Sequence, residues 1–468
     1  AAAATITDGG GNNTFTIAGS TAFIVLGTFP SVFETVSLSA GSTVRYQANG
    51  AQNVYAVASP GYGNLQVYAN TNGTATTKTA LGDLYIQTGI TIGNGGTDNN
   101  VTLNMNNNSM YLSGSTFTQQ TGAPQVSWGT GTMTQNGAGW NIDADITGFN
   151  NLVLGGTGTK SQLANLDLIT GNVTVQNGAT FSMGTFTMTC TGASKTLTLQ
   201  SGATLTSALT ASVAFPTGFS TYTLNAASTV TLNGAAAQTI QCNNVTYGNL
   251  NLLPGTASTN ESLNNNLVCA GDFTMNNNAV LVDAGYNMNL SGTNIDIRTY
   301  TPTLSTSTIT LSGGTQNFYN GNGGNFTVGN VVFGGTASSA KSLGTRVNVA
   351  NNVVYISGTV VINSTITVAC SRNVFYSGTA WTNNGTFTHS NGLFTYSGTA
   401  LQTINPGSSN TYYSIAVSNT NNPGVLITTN GLNITTTTVV NAGARFDMGG
   451  SAAPAASITH TFGGAVTN

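Results

Sequence analysis

A block of eighteen residues recurs along this chain, and a repeat at fixed period constrains architecture more tightly than any local propensity. Residues Ser37–Val54 align without a gap on Thr223–Ile240, and two further copies run over Thr301–Phe318 and Thr386–Ile404. Each copy closes on a Gln with an apolar side chain two positions on: Gln52 and Val54, Gln238 and Ile240, Gln316 and Phe318, Gln402 and Ile404. A second motif follows, an aromatic or Val leading an alternating apolar run: Tyr62–Val67, Phe149–Leu154, Tyr247–Leu252, Val328–Phe333 and Tyr412–Val417. Its first residues lie 87, 98, 81 and 84 residues apart, which divides the chain into five units near 37–115, 116–222, 223–300, 301–385 and 386–450. Residues 1–36 and 451–468 flank them as terminal strands or segments.

Inside a unit the apolar period is two. Val173, Val175, Phe181 and Met183 alternate with polar residues around Asn177-Gly178. Short β-branched runs bounded by Gly and Asn read as strands. Asn-Gly dipeptides recur along the chain, at positions where the backbone can take φ > 0. Two all-β architectures accommodate this pattern: one parallel β-solenoid (a right-handed β-helix), or tandem β-sandwich domains.

Composition favours the first, with tandem β-sandwich domains as the alternative. Only 4% of the 468 residues are Asp, Glu, Lys or Arg, while Thr numbers 80 and Asn 59. Sandwiches ordinarily expose one face rich in Lys and Glu, and would be joined by linkers that are not visible here. In a solenoid, identical Thr, Asn and Ser side chains stack at the strand spacing of ~4.8 Å and need no charge. The expectation is therefore a single solenoid over 37–450, with roughly 22 residues per coil, about 21 coils and a length on the order of 100 Å.

The same composition excludes other classes. Glu occurs only at Glu34 and Glu261, so helical bundles lack their usual residues. Nine Lys and Arg with a net charge of −3 cannot form a surface that tracks phosphates, so no nucleic-acid partner is expected. No apolar run approaches the ~20 residues of a membrane-spanning helix. The hydrophobic fraction of 39% argues against disorder. The opening Ala-Ala-Ala-Ala-Thr, without Met, fits a chain whose secretory signal has been removed, so an extracellular or cell-surface location is expected. Of Cys190, Cys242, Cys269 and Cys370, Cys242 and Cys269 are close enough in sequence to bridge neighbouring layers; free buried thiols are the equal alternative.

The Gln-Thr-Ile close, the Tyr-Gly-Asn-Leu opening and the Val-Thr-Val-Gln-Asn-Gly-Ala run together resemble the repeat of large secreted surface proteins of Bacteroidota-type bacteria. The resemblance spans about residues 37–450; the upstream half of the second unit departs from it. It implies a parallel β-helix exported by a type IX route, and a surface or extracellular role.

Few residues suggest chemistry. Asp143 and Asp145, two apart, place both carboxylates on one face of a strand roughly 7 Å apart, a spacing compatible with glycoside hydrolysis or with a solvated or Ca²⁺-binding pair. Asp296 and Arg298 share a face as a surface ion pair. His389 and His460 stand apart from Cys and carboxylate clusters in sequence. Lys78, Lys160 and Lys341 occupy one repeat position, held by Asn260-Glu261 in the third unit, which removes the phosphate-loop reading of Lys160 and leaves covalent Lys–Asn or Lys–Asp cross-linking as a remote option. No catalytic, cofactor or metal site is expected.

A structural role follows: a self-assembling subunit of an extracellular filament, sheath or surface appendage, joined head to tail by β-sheet continuation. The apolar terminal segments supply the interface, with Phe23, Ile24, Val25, Leu26 and Phe29 docking against Phe446, Ile458 and Phe462 of the next copy. The alternatives are an adhesin that stacks surface glycans on exposed aromatic rows, where Trp128, Trp140 and Trp381 are the places to look, and, less favoured, a polysaccharide-degrading β-helix enzyme.

Overall fold

The structure is a computed structural model. It describes residues 10–448 and 460–467, apart from 70–74, 94–100, 120–125, 147, 211–212, 302–306, 322–324, 336–338, 345–352 and 423. Among the described residues there is no helix; short strands pair in parallel and stack as a β-solenoid of about 17 turns. Tandem sandwiches, which need antiparallel neighbours, are not what this chain forms. Turns are fewer than the 21 expected because many are long. A residue meets its partner one turn away after as few as 19 positions (Thr132 to Asn151) and as many as 29 (Val331 to Val360).

Two compact units make up the chain, Ala1–Leu209 with Phe215–Thr229 and Thr210–Ala214 with Val230–Asn468. In the first, one sheet runs through Ala22–Val25, Thr43–Tyr46, Tyr62–Val67, Leu84–Ile92, Met110–Leu112, Thr132–Gln135, Asn151–Leu154, Val173–Val175, Thr196–Leu199 and Thr221–Leu224. In the second, a ten-stranded sheet begins at Thr246–Tyr247 and reaches Phe446–Asp447.

The period-two pattern sets which side chains face inward. Val173 lies on Leu197 and Val175 on Leu199, all four buried, while Thr174 lies on Thr198 outside. Each fully buried aliphatic side chain contributes about 1.5–3 kcal/mol over its exposed state. Between residues 376 and 412 the core is aromatic: Tyr376, Trp381, Phe387, Phe394, Tyr396 and Tyr412 pack at centroid separations of 5.0 to 6.4 Å.

Asn side chains stitch one turn to the next. Asn151 Oδ1 accepts from the Asn172 amide, and Asn172 Oδ1 in turn accepts from the Thr196 amide. In the second unit Asn249, Asp272, Asn266, Asn287 and Asn410 do the same at 2.8–2.9 Å. These amides lie at strand starts, and the side-chain oxygen of the neighbouring turn completes them. Of the described Asn-Gly glycines, Gly178 (φ 76°) and Gly392 (φ 87°) take the left-handed conformation. At Gly137 the requirement is space: a Cβ there would lie 2.4 Å from the Ser113 carbonyl of the neighbouring turn.

Candidate functional site

At the first turn, Thr14–Ile17 pairs only with Thr35–Leu38, and Ala22–Val25 only with Thr43–Tyr46, so among the described residues each keeps one open edge. Phe15, Phe23, Phe29 and Phe33 gather above these strands with centroids 5.3–6.1 Å apart. The assembly residues expected from sequence therefore separate. Val25 and Phe29 are buried and belong to the core, Phe23 is half-buried in the ring cluster, and only Ile24 (50% exposed) and Leu26 (57%) face outward, with Val32 beside them at 56%.

At the last turns, Phe446 is half-buried on the rung of Val425. Phe462 is half-buried and pairs beside Ile434. Ile458 lies outside the described residues. His460 is a structural pin: its Nδ1 accepts from the Leu432 amide at 3.1 Å, so Nε2 carries the proton toward the Met448 carbonyl at 2.7 Å. Met448 and Val466 are exposed nearby.

The repeat Gln residues are clamps inside the solenoid. Gln52 donates from Nε2 to the carbonyls of Val25 (2.9 Å) and Gly27 (2.8 Å) on the preceding turn. Gln316 treats Leu290 and Gly292 in the same way, and Gln402 treats Tyr376 and Gly378. Oε1 of each accepts an amide from its own turn. Lys78 stacks on Gln52 and Lys341 on Gln316. Both are buried, and their ammonium groups cap carbonyls of Ala48 (2.6 Å) and Gly50 (2.9 Å), and of Gly313 (2.6 Å) and Gly314 (2.7 Å). Lys160, also buried, caps Thr157. These ammonium groups face carbonyl oxygens, which is the arrangement of a structural cap and gives no support to cross-linking. Burial lowers Lys78 and Lys341 to about 8. Glu261, stacked on Gln238, has no exposed surface and no partner on either carboxyl oxygen; burial raises it to about 8.

Asp143 and Asp145 do not share a strand face. The strand Trp140–Ile142 ends before them, and Asp143 Oδ1 closes a turn by accepting the Asp145 amide at 3.1 Å. Asp145 is raised by burial and by its neighbour Asp143. Asp296 is buried, not a surface partner: it accepts from Arg298 Nη2 at 3.0 Å and from the Gly321 amide at 2.7 Å. His389 has a cysteine neighbour that sequence distance hid, since Cys370, His389 and Tyr412 sit on successive rungs. Burial pushes the Cys370 thiol up to about 11 and the His389 imidazole down, so both stay neutral and the pair lacks the thiolate that nucleophilic chemistry needs. Among the described residues no group of three or more His, Cys, Asp and Glu could hold a metal ion.

All four cysteines are free and buried, so the Cys242–Cys269 bridge is not made. The register explains it: the residue stacked over Cys269 is Tyr247, and Cys242 lies in the preceding loop with its thiol on the Ile240 carbonyl. Burial raises both thiols to about 12. The three tryptophans are buried as well, contrary to an exposed Trp row. The outward aromatics are others. Tyr85 stacks on Tyr111 (4.8 Å, 8° between planes), and Tyr355 stacks on Phe375 (5.5 Å, 24°) with both rings 37% exposed. Their spacing of one turn, through residues 20 or more apart, carried no signal in a linear reading.

Among the described residues no helix is long and apolar enough to cross a membrane. No known family, curated protein or solved structure shows a match to this chain.

Proposed function

We propose that this β-solenoid is a structural subunit of an extracellular or cell-surface assembly, polymerising by strand pairing between the first turn of one copy and the last turns of the next. The observation that carries this reading is the first-turn edge, where among the described residues two parallel strands are open on one side, with Ile24 and Leu26 exposed in or next to the second of them. Open, uncharged apolar edges recruit further strands, and natural proteins that stay monomeric usually blunt them with charge, Pro or a cover. The exposed Val466 and the half-buried Phe462 give the last turns a matching apolar character. Self-pairing of this type is heterologous and open-ended, the geometry of a fibre. The resemblance to secreted surface repeats supports the location.

The test is sedimentation velocity with negative-stain microscopy on the whole chain and on an Ile24→Asp/Leu26→Asp variant, whose changes fall on exposed positions. The wild type should form concentration-dependent polymers and the variant should remain monomeric with the same β-sheet circular dichroism. Wild-type protein that stays monomeric at every concentration, or a variant that polymerises equally, overturns the reading.

A second reading has its own observation. The stacked outward pair Tyr355 and Phe375 offers the flat apolar surface on which sugar rings stack. Affinity electrophoresis in gels cast with neutral polysaccharides should show retardation of the wild type that Tyr355→Ala/Phe375→Ala removes. Equal mobility of the two in every gel excludes this surface.

A further inference from the structure

Glu261 breaks a pattern that two sister units keep. At the rung above the clamp Gln, Lys78 and Lys341 send an ammonium group onto main-chain carbonyls: Ala48 and Gly50 for the first, Gly313 and Gly314 for the second. Lys341 also donates to Gln316 Oε1 at 2.6 Å. The carbonyls thus form a ready cation cradle, occupied by a covalently attached ammonium. In the third unit the clamp is intact, with Gln238 Oε1 accepting the Gly234 amide at 2.8 Å. The gapless alignment of Ser37–Val54 with Thr223–Ile240 places Gly234 where Ala48 stands and Ala236 where Gly50 stands. On the rung above, register puts Glu261 where Lys78 and Lys341 sit, and the next rung is apolar in all three cases: Leu281, Leu103 and Val368.

An acid in a cradle built for a cation is the wrong charge in the wrong place. Glu261 is wholly buried, and neither of its carboxyl oxygens has a hydrogen-bond partner. A buried acceptor without a donor is destabilising, and more so if it carries charge. The Glu side chain is also one heavy atom shorter than Lys, so its carboxyl stops short of the position an ammonium nitrogen takes. By the alignment, the Gly234 and Ala236 carbonyls and Gln238 Oε1 hold the places of the acceptors around the sister lysines, so an ionised Glu261 would meet only hard oxygen ligands there, with no donor between them.

We propose that the third unit binds a hard metal cation, Na⁺, K⁺ or Ca²⁺, at Glu261, taking the place that the lysine ammonium fills in the sister units. The ion stabilises the Gln238–Glu261 turn as Lys78 and Lys341 stabilise theirs. With a single carboxylate and neutral carbonyl donors, the site has the hard-oxygen composition of a structural ion site. It is separate from the first-turn edge, which lies in the other compact unit.

The test compares thermal unfolding of the whole protein in tetramethylammonium chloride, whose cation is too large for the cradle, with NaCl, KCl and CaCl₂ at the same ionic strength and neutral pH. The wild-type midpoint should rise by several degrees in at least one of the three metal salts over tetramethylammonium. Glu261→Lys, which restores the sister arrangement, should unfold at one midpoint in all four salts, at or above that of the metal-bound wild type. Glu261→Gln should also lose the cation response, which keeps the comparison available if the lysine variant does not fold. A wild-type midpoint identical in all four salts, as a protonated and ion-free Glu261 would give, overturns the proposal; so does a cation response that survives in Glu261→Lys or Glu261→Gln.

Discussion

A buried Gln does more for this fold than its polarity suggests. Gln402 donates to two carbonyls of the preceding turn and accepts from the Gly398 amide and from Asn419. Truncation in Gln402→Ala leaves those buried groups unpaired, and a loss of about 3 kcal/mol is expected in chemical denaturation, at the upper end for a single neutral side chain. His389 supplies one pH dependence. Its imidazole is lowered by burial, so the folded state binds its proton less readily than the unfolded chain does. Its contribution to stability is therefore full above the ordinary histidine value of ~6.5 and declines as pH falls below it, opposite in sign to Glu261, whose raised carboxyl favours the folded state as pH falls. In equilibrium unfolding between pH 7 and 5 the wild type should lose stability relative to His389→Phe. The cysteines complete the residue scale: native protein should be inert to a thiol reagent and release four thiols only when unfolded, with no mass change on reduction. The clamp Gln and the lysine position were legible as repeats in the sequence. Their roles were not, because a hydrogen bond to a carbonyl one turn away joins residues 24 to 30 positions apart, as Lys78 and Ala48 show.

At the scale of the strand, side-chain identity between rungs is the organising requirement. Thr174 and Thr198 are outward neighbours on adjacent parallel strands, only ~4.8 Å apart. Like charges there would repel, while neutral hydroxyls do not. Either Thr174→Asp or Thr198→Asp alone should cost little. The double variant should lose a further 0.5–1 kcal/mol (roughly) beyond additivity, recovered in high salt, whereas Thr174→Asp/Thr198→Lys should show no such penalty in denaturant titrations. The Asn ladder is the same principle applied to strand starts. Asn172→Ala removes the acceptor for the Thr196 amide, and about 1 kcal/mol should be lost. Sequence alternation indicated these strands because a period of two needs only local reading. It misplaced Asp143 and Asp145, since the end of a strand at Ile142 is set by where the neighbouring turn stops pairing.

For the whole molecule, the internal repeat and the near-absence of charge pointed to an all-β chain and favoured stacked turns over tandem sandwiches, and the parallel strand pairing decided it. A chain with so few ionisable groups can expose long rows of hydroxyls and amides, and only a stacked parallel sheet satisfies them rung by rung. That much is a property of composition and period. Tertiary structure decided what the period leaves free: which residues share a rung. Register set Tyr247 over Cys269 and left Cys242 aside, brought Cys370 beside His389, buried all three tryptophans, and stacked Tyr355 on Phe375 outside. It also drew Val25 and Phe29 into the core, leaving Ile24 and Leu26 on the open edge, and sealed Glu261 without a partner at a lysine's position. The physical reason is that turn length varies from 19 to 29 residues, so vertical neighbours are fixed by hydrogen-bond pairing between turns and cannot be counted off along the chain.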